Sequence, residues 1–385
     1  MTITTDQFRR WSRQVRLPQF GVEGQEKLAN ARVAIVGVGG LGCPAALYLA
    51  AAGVGTLGLI DDDVVDPSNI QRQVLFDEND LGQGKVATAS ERLAPLNKQL
   101  TIIEHPVRLT AANARALLAD YDIVIDGNDN FPTRYAVNDA CVLLGKPNVY
   151  GSVLQFEGRA SLFVPGEGPC YRCLYAEPPP EGVVPNCAEA GVLGVLPGVI
   201  GSIQAAEAIK WICGIGETLA GRLLVLDMLA MSFEEFQIER DPECALCGDH
   251  PTITEPVAYT ETCSVAGGES WPEDDYDLED RITPRLARRR LESGENLLLL
   301  DVREPIERQM ASIEPSLFVP MRELPSRVGE LTEFKDREII VYCHHGVRSV
   351  VAASWLRRNG FERVKNLEGG IDRWTTDADQ SIPRY

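Results

Sequence analysis

The stretch Val33-Ala34-Ile35-Val36-Gly37-Val38-Gly39-Gly40-Leu41-Gly42-Cys43-Pro44 decides how the first two-thirds of the chain reads. Its small and β-branched residues predict a buried strand. The glycines predict a tight turn into an apolar helix over 44–52. A second strand, Thr56 to Ile60, ends in Asp61-Asp62-Asp63. Strand, glycine turn, helix and strand make a βαβ unit with a glycine fingerprint in the right context. The glycines let the backbone approach a phosphate, and the helix N-terminus offers it unpaired N–H groups. Asp61 lies about twenty residues further on, where a carboxylate binds ribose hydroxyls. On these features alone NAD and ATP fit equally well.

The continuation shifts the balance. Ser68-Asn69-Ile70-Gln71-Arg72-Gln73 follows, and then Lys85. A redox dinucleotide needs no such polar cluster after its second strand. A triphosphate does, because charge must be neutralised as pyrophosphate departs. Further on, strands over 100–104 and 123–126 alternate with helices over 86–96 and 113–119, which predicts a parallel sheet with right-handed crossovers. Ligands bind beyond the carboxyl ends of such strands. Asp126-Gly127-Asn128-Asp129-Asn130 stands at one of these ends, so Asp129 is placed to hold Mg²⁺ or phosphate-bound water. An Asx-rich turn capping the helix 131–144 accounts for some of these residues.

After strands over 148–153 and 158–164 come two C-x₂-C pairs, Cys170 with Cys173 and Cys244 with Cys247, seventy residues apart. Their spacing is that of a tetrahedral Cys₄ zinc site, and four thiolates leave no open position, so the zinc is expected to be structural. Two disulfides or a redox pair are the alternatives. Between the pairs, Cys187 follows a proline-rich loop and precedes a long apolar stretch, 188–213. A thiol at a helix N-terminus is nucleophilic, whereas a buried structural cysteine is the other reading. The stretch 188–213 carries Glu189, Pro197, Gln204, Glu207 and Lys210, so it reads as a core helix with a polar face and not as a membrane span.

From Asp249 to Asp280 there are ten Asp or Glu residues and no Lys or Arg, with Pro and Gly interspersed, which predicts an extended linker. The expected domains are therefore 1–248, a linker 249–281, and 282–385. In the last, a strand over 338–342 runs into Cys343-His344-His345-Gly346-Val347-Arg348-Ser349 and a helix over 350–359. A cysteine in a loop whose N–H groups converge at a helix start sits in an anion cradle, and Arg348 adds fixed positive charge. The loop is one residue shorter than that of a cysteine phosphatase and suits a single bound sulfur atom.

The N-terminal segment 8–20, with Arg9, Arg10 and Arg13, reads as an amphipathic helix with its arginines in water. The formal net charge of −19 argues against nucleic acid and anionic membrane as partners. Residues 1–16 show no apolar signal segment, and ten cysteines without one suggest metal binding or thiol chemistry in a cytoplasmic protein.

In this ordered combination, completed by Leu367-Glu368-Gly369-Gly370, the chain resembles the molybdopterin-synthase adenylyltransferase/sulfurtransferase family. These are ubiquitin-activating-like proteins fused to a rhodanese domain. The resemblance implies an α/β fold: a Rossmann-like ubiquitin-activating-type domain with its Cys₄ site, then an α/β rhodanese domain. It implies ATP bound by Gly40, Asp61, Ser68, Asn69, Ile70, Gln71, Arg72, Lys85, Asp129 and Asn130. The substrate would be a small β-grasp sulfur-carrier protein whose C-terminal Gly-Gly carboxylate is adenylated. Arg13 would reach across a homodimer into the partner's ATP site. Cys343 would carry the persulfide, supplied by a cysteine desulfurase or by thiosulfate. Cys187 would form a thioester or resolve a disulfide with Cys343. His344 stands where many thiosulfate-using loops place a basic residue, which leaves the donor open.

A second reading keeps the activation but ends in protein conjugation through a Cys187 thioester, with the rhodanese part accessory. An NAD-dependent oxidoreductase rests on the glycines alone and leaves Arg72, Lys85 and the Cys343 loop unexplained. A non-catalytic scaffold has no use for a cradled thiolate.

Overall fold

The computed structural model describes residues 4–179, 191–259 and 281–384. They form two compact units, one of residues 4–178 with 191–259 and one of residues 281–384. No described helix is long and apolar enough to cross a membrane.

The first unit is built on an eight-stranded sheet. Its strands are β1 (Arg32–Val36), β2 (Thr56–Ile60), β3 (Thr101–His105), β4 (Ile123–Asp126), β5 (Asn148–Leu154), β6 (Glu157–Phe163), β7 (Arg222–Asp227) and β8 (Ser232–Gln237), in the order β3-β2-β1-β4-β5-β6-β7-β8. The parallel sheet expected from the alternation holds from β3 to β5. From β5 to β8 the pairing is antiparallel, which departs from the alternation: β5–β6 and β7–β8 are joined by short connections, while between β6 and β7 the chain passes through the helix Val195–Cys213. Strand order reverses between β1 and β4. That leaves a crevice outside their carboxyl ends, where ligands of such sheets bind.

Two glycines make this crevice possible. Gly37 ends β1 with φ +86°, a left-handed conformation that costs other residues strain. A methyl group at Gly42 would collide with the Gly37 carbonyl oxygen, so only glycine lets the helix Gly42–Ala52 start so close to the turn. The helix Val195–Cys213 packs beside it, and Gly201 meets the Leu41 carbonyl. Of its polar residues, Gln204 and Glu207 face inward, while Lys210 is partly exposed. Gln204 is fully buried and donates to the Asp126 and Val149 carbonyls (2.7 and 2.9 Å), and Glu207 accepts from the Leu219 N–H (2.6 Å). Through these two carbonyls the helix is tied to both β4 and β5.

The expected single helix at the N-terminus is two, Thr5–Val15 and Gly21–Asn30. Trp11 anchors the first by burial and by an Nε1–H bond to the Ala51 carbonyl (3.0 Å), while Arg13 on the same helix is exposed. The first residues of the expected linker 249–281 are anchored. Thr252 and Ile253 donate to the Ala245 carbonyl (2.8 and 2.9 Å), and Val257 N–H donates to Asp139 (3.0 Å). Backbone bonds hold residues 249–259 to the first unit despite their charge. The rest of the expected linker, 260–280, and Cys187 lie outside the described residues.

The second unit has a five-stranded parallel sheet, β11-β10-β12-β13-β9, from β9 (Arg281–Ile282), β10 (Leu297–Asp301), β11 (Leu317–Phe318), β12 (Glu338–Tyr342) and β13 (Val364–Leu367). Its central strand β12 is buried along its whole length and delivers Cys343 at its carboxyl end, ahead of the helix Val347–Arg358.

Candidate active sites

A cleft at the switch point is lined by Gly37, Gly39, Gly40, Leu41, Asp61, Asp62, Asp63, Arg72, Gln73, Lys85, Arg108 and Gly127 to Asn130, among others. Gly40, Asp61, Arg72, Lys85, Asp129 and Asn130, expected at one nucleotide site from segments ninety residues apart in sequence, therefore share one cavity. Asp61 is fixed at the end of β2, accepting from Val38 N–H (2.7 Å) and Asp63 N–H (2.8 Å). Burial pushes its carboxyl above the usual range, against the opposing pull of Lys85 and of those N–H groups. Lys85 is almost fully buried and pairs with Asp63 (2.8 Å), and Arg72 Nη1 donates to the Ser68 carbonyl (2.7 Å).

Ser68, Asn69, Ile70 and Gln71 do not line the cleft. Asp66 caps this short turn through Ser68, and Ile70 packs on the hydrophobic core, so the segment positions Arg72 and Gln73 at the cavity. The Asp126 to Asn130 run divides likewise. Asn130 caps the helix Phe131–Leu144 through Thr133 N–H (2.9 Å), and Asn128 is buried against Asp126. Of the two acids, Asp129 alone is exposed at the cleft, and Asp126 is buried. Arg13 is not among the cleft-lining residues of its own chain.

The sequence reading missed Arg108, Val192 and Pro197 in the cleft wall. Arg108 follows β3 and pairs with Asp62 (3.2 Å), Val192 precedes the helix Val195–Cys213, and Pro197 lies in its first turn. No local pattern marks them, because the strand order brings them to the cavity.

The four cysteine sulfurs of the two C-x₂-C pairs converge. Cys170 Sγ lies 4.0 Å from Cys173 and 3.7 Å from Cys244, and Cys173 lies 3.3 Å from Cys247. A tetrahedron with metal–sulfur bonds of about 2.3 Å has edges of about 3.8 Å. Disulfide sulfurs stand about 2.05 Å apart, so these pairs are not disulfides. The N–H groups of Cys170 and Asp241 point at Cys173 Sγ (3.5 and 3.4 Å), as donors do around metal-bound thiolates. This donor set fits a closed, structural metal site.

In the second unit Cys343 is buried, and its sulfur accepts from Gly346 N–H (3.1 Å) and Ser349 Oγ–H (3.4 Å). Gly369 and Gly370 back the loop. Ile371 and Asp372 N–H groups donate to the Cys343 and His344 carbonyls (2.9 and 3.0 Å), an approach that a side chain on Gly370 would block. Arg348 does not supply free positive charge. Its Nη1 and Nη2 pair with Glu307 at 2.7 and 2.6 Å, an arrangement invisible in the loop sequence because Glu307 lies far upstream. Burial, and then neighbouring His345, lower the pKa of His344.

The two units match known families. Residues 11–246 match the ThiF family and residues 283–377 the rhodanese-like domain. A probable adenylyltransferase/sulfurtransferase MoeZ of Mycobacterium tuberculosis is 43% identical, over all of this chain and 96% of that protein. An adenylyltransferase and sulfurtransferase MOCS3 of Drosophila persimilis is 41% identical, over all of this chain and 86% of that one. Among solved structures, E. coli MccB with MccA-N7isoAsn aligns with TM-score 0.57 and 25% identity, over 62% of this chain and 74% of that one. With both family matches and two relatives 43% and 41% identical over the whole of this chain, the chain belongs to the ThiF family, in the branch of adenylyltransferase/sulfurtransferases that carry a rhodanese-like domain.

Proposed function

We propose that the protein uses ATP to adenylate the C-terminal glycine of a small ubiquitin-like sulfur-carrier protein and then converts it to a thiocarboxylate with sulfur from Cys343. The observation that carries the first step is the shared cleft of Gly40, Asp61, Arg72, Lys85 and Asp129. Its apolar lining, Val36, Ile60, Val107 and Leu109, suits a purine, and Asp61 suits the ribose hydroxyls. Arg72 and Lys85 neutralise charge as pyrophosphate leaves. The cleft holds four carboxylates, Asp61, Asp62, Asp63 and Asp129, against three cations, so the triphosphate must bring a cation of its own. Asp129, exposed at its edge, is the carboxylate we assign to Mg²⁺. The Cys₄ cluster is assigned to Zn²⁺, which holds distant segments together when bound.

Arg13, exposed on the N-terminal helix, is assigned to the ATP site of a second copy in a homodimer. The site residues and the boundaries 1–248, 249–281 and 282–385 remain part of this reading, with the anchored segment 249–259 at the start of the linker. Thiol chemistry of this kind belongs in the cytoplasm.

In the second step the outer sulfur of a Cys343 persulfide attacks the adenylated carbonyl and AMP leaves. The thiolate of Cys187 then attacks the Cys343 sulfur. The carrier departs as its thiocarboxylate, and a Cys187–Cys343 disulfide remains for a cellular thiol to reduce. The persulfide comes from a cysteine desulfurase or from thiosulfate. The rhodanese-like domain favours this course over conjugation through a Cys187 thioester, which needs no sulfur donor.

The test is ATP–pyrophosphate exchange with a Gly-Gly-ended carrier from the same cell. Exchange should require the carrier and fall with Arg72→Ala. Cys343→Ala should keep exchange and lose the thiocarboxylate by mass spectrometry. No exchange with any carrier refutes the adenylation reading, and thiocarboxylate formation by Cys343→Ala refutes the sulfur route.

A further inference from the structure

Between Cys343 and Ser349 the one guanidinium or ammonium group is that of Arg348. A single carboxylate takes both its terminal nitrogens, with Nη1 at 2.7 Å and Nη2 at 2.6 Å from the two Glu307 oxygens. This fork-to-fork pairing is the strongest geometry an arginine offers, and both side chains are mostly shielded, 20% and 15% exposed. Glu307 is itself fixed. It is the third residue of the helix Pro305–Met310, and its Oε2 accepts the Glu304 N–H at 2.8 Å in a reciprocal cap. Burial raises the pKa of Glu307, but Arg348, that N–H and Arg303 outweigh it, so the carboxyl titrates below its ordinary value and is ionised at neutral pH. The next cations around the loop are engaged too, Arg373 with Glu368 (3.0 Å) and Arg384 with Asp372. His344, beside the cysteine, has its pKa lowered by burial and by His345, which disfavours its charged form.

We infer that Glu307 is a specificity-determining residue for sulfur charging. By clamping Arg348 it cancels the fixed positive charge of the loop and turns Cys343 away from dianionic donors such as thiosulfate, toward persulfides borne on thiols. The inference rests on the reading that Cys343 carries the transferred sulfur. In either charging reaction the Cys343 thiolate attacks the outer sulfur of the donor and the donor S–S bond breaks. The leaving group departs with the electron pair. From thiosulfate that group is the sulfite dianion, which needs a free cation at binding and at departure. From a persulfide it is a thiolate, with one charge less. A carboxylate placed on the loop's own guanidinium penalises the first donor more than the second.

The experiment uses the full chain and cyanide as acceptor. Cyanide takes the outer sulfur as thiocyanate and returns the Cys343 thiolate. Thiosulfate and cysteine persulfide are the two donors. Glu307→Gln removes the charge and keeps the cap, because glutamine serves at this helix position. It should raise kcat/KM for thiosulfate about tenfold, the equivalent of about 1.4 kcal/mol, mainly through KM, and change cysteine persulfide turnover little. Adding Arg348→Ala to Glu307→Gln should abolish the gain. An unchanged or lower thiosulfate-to-persulfide ratio in Glu307→Gln overturns the inference. If that variant loses both donors through misfolding, the ratio in Glu307→Asp decides. Its carboxylate is drawn back by one methylene, so a raised ratio supports the clamp and an unchanged one overturns it. If the wild type is charged by neither donor, the sulfurtransferase reading itself fails, and the inference with it.

Discussion

Replacing Arg172 by Ala should destabilise the first unit far more than a typical substitution. Arg172 lies between Cys170 and Cys173, and its guanidinium is almost fully buried against Asp139, itself fully buried. Nε and Nη2 reach the two Asp139 oxygens at 2.7 and 2.8 Å, and Nη1 donates to the Ala176 carbonyl (2.9 Å) and to Tyr259 Oη (3.0 Å). The Tyr135 ring stacks below it at 4.8 Å. Truncation leaves Asp139 buried with only the N–H of Val257 and a long contact to Asn138 in compensation. Removing one partner of such a pair costs about 3–5 kcal/mol. For a unit of this size that lowers the melting midpoint by roughly 6–20 °C. Calorimetry on the intact chain is the assay, with the transition of the untouched second unit as internal reference. Arg172→Lys should recover part of the loss, since it keeps charge but not the fork. The double change Arg172→Met with Asp139→Leu should be milder than Arg172→Ala, because no charge is left orphaned. A loss below about 1 kcal/mol for Arg172→Ala, or a double variant no better than the single one, would refute the reasoning.

Two further outcomes follow from the same geometry. The purified protein should contain one zinc per first unit by elemental analysis, and Cys247→Ser should lose it and lower the midpoint of that unit alone; folded, active protein without metal would remove the assignment. Asp126 is fully buried, and burial raises its pKa to about 6, with Arg134 and Asn128 opposing. Its folded-state pKa lies above the unfolded value, so its contribution is fully present below about pH 4 and is lost as pH rises through about 6. Unfolding midpoints measured across that window should fall for the wild type relative to Asp126→Asn, and parallel pH profiles would count against the assignment.

The sequence by itself determined the parts of this protein that are encoded within a few residues. The Gly37 to Gly42 turn, the strands at 56–60, 123–126 and 338–342, the helix at 131–144 and the Cys343 loop are set by side-chain period and turn chemistry, and all are found where they were expected. The Cys₄ convergence was legible too, because metal-ligand spacing constrains each pair locally even when the pairs are far apart. Tertiary structure alone decided the rest. The antiparallel half of the sheet, β5 to β8, depends on which edge the chain returns to. Arg108, Val192 and Pro197 become cleft residues only once the strand order is known. On the helix Val195–Cys213, Gln204 and Glu207 turn inward among apolar neighbours because carbonyls of β4 and β5 and the Leu219 N–H meet them there. Arg348, an aimed cation by sequence, is neutralised by a glutamate forty-one residues away, since opposite charges pair by proximity in space and leave no trace in local pattern.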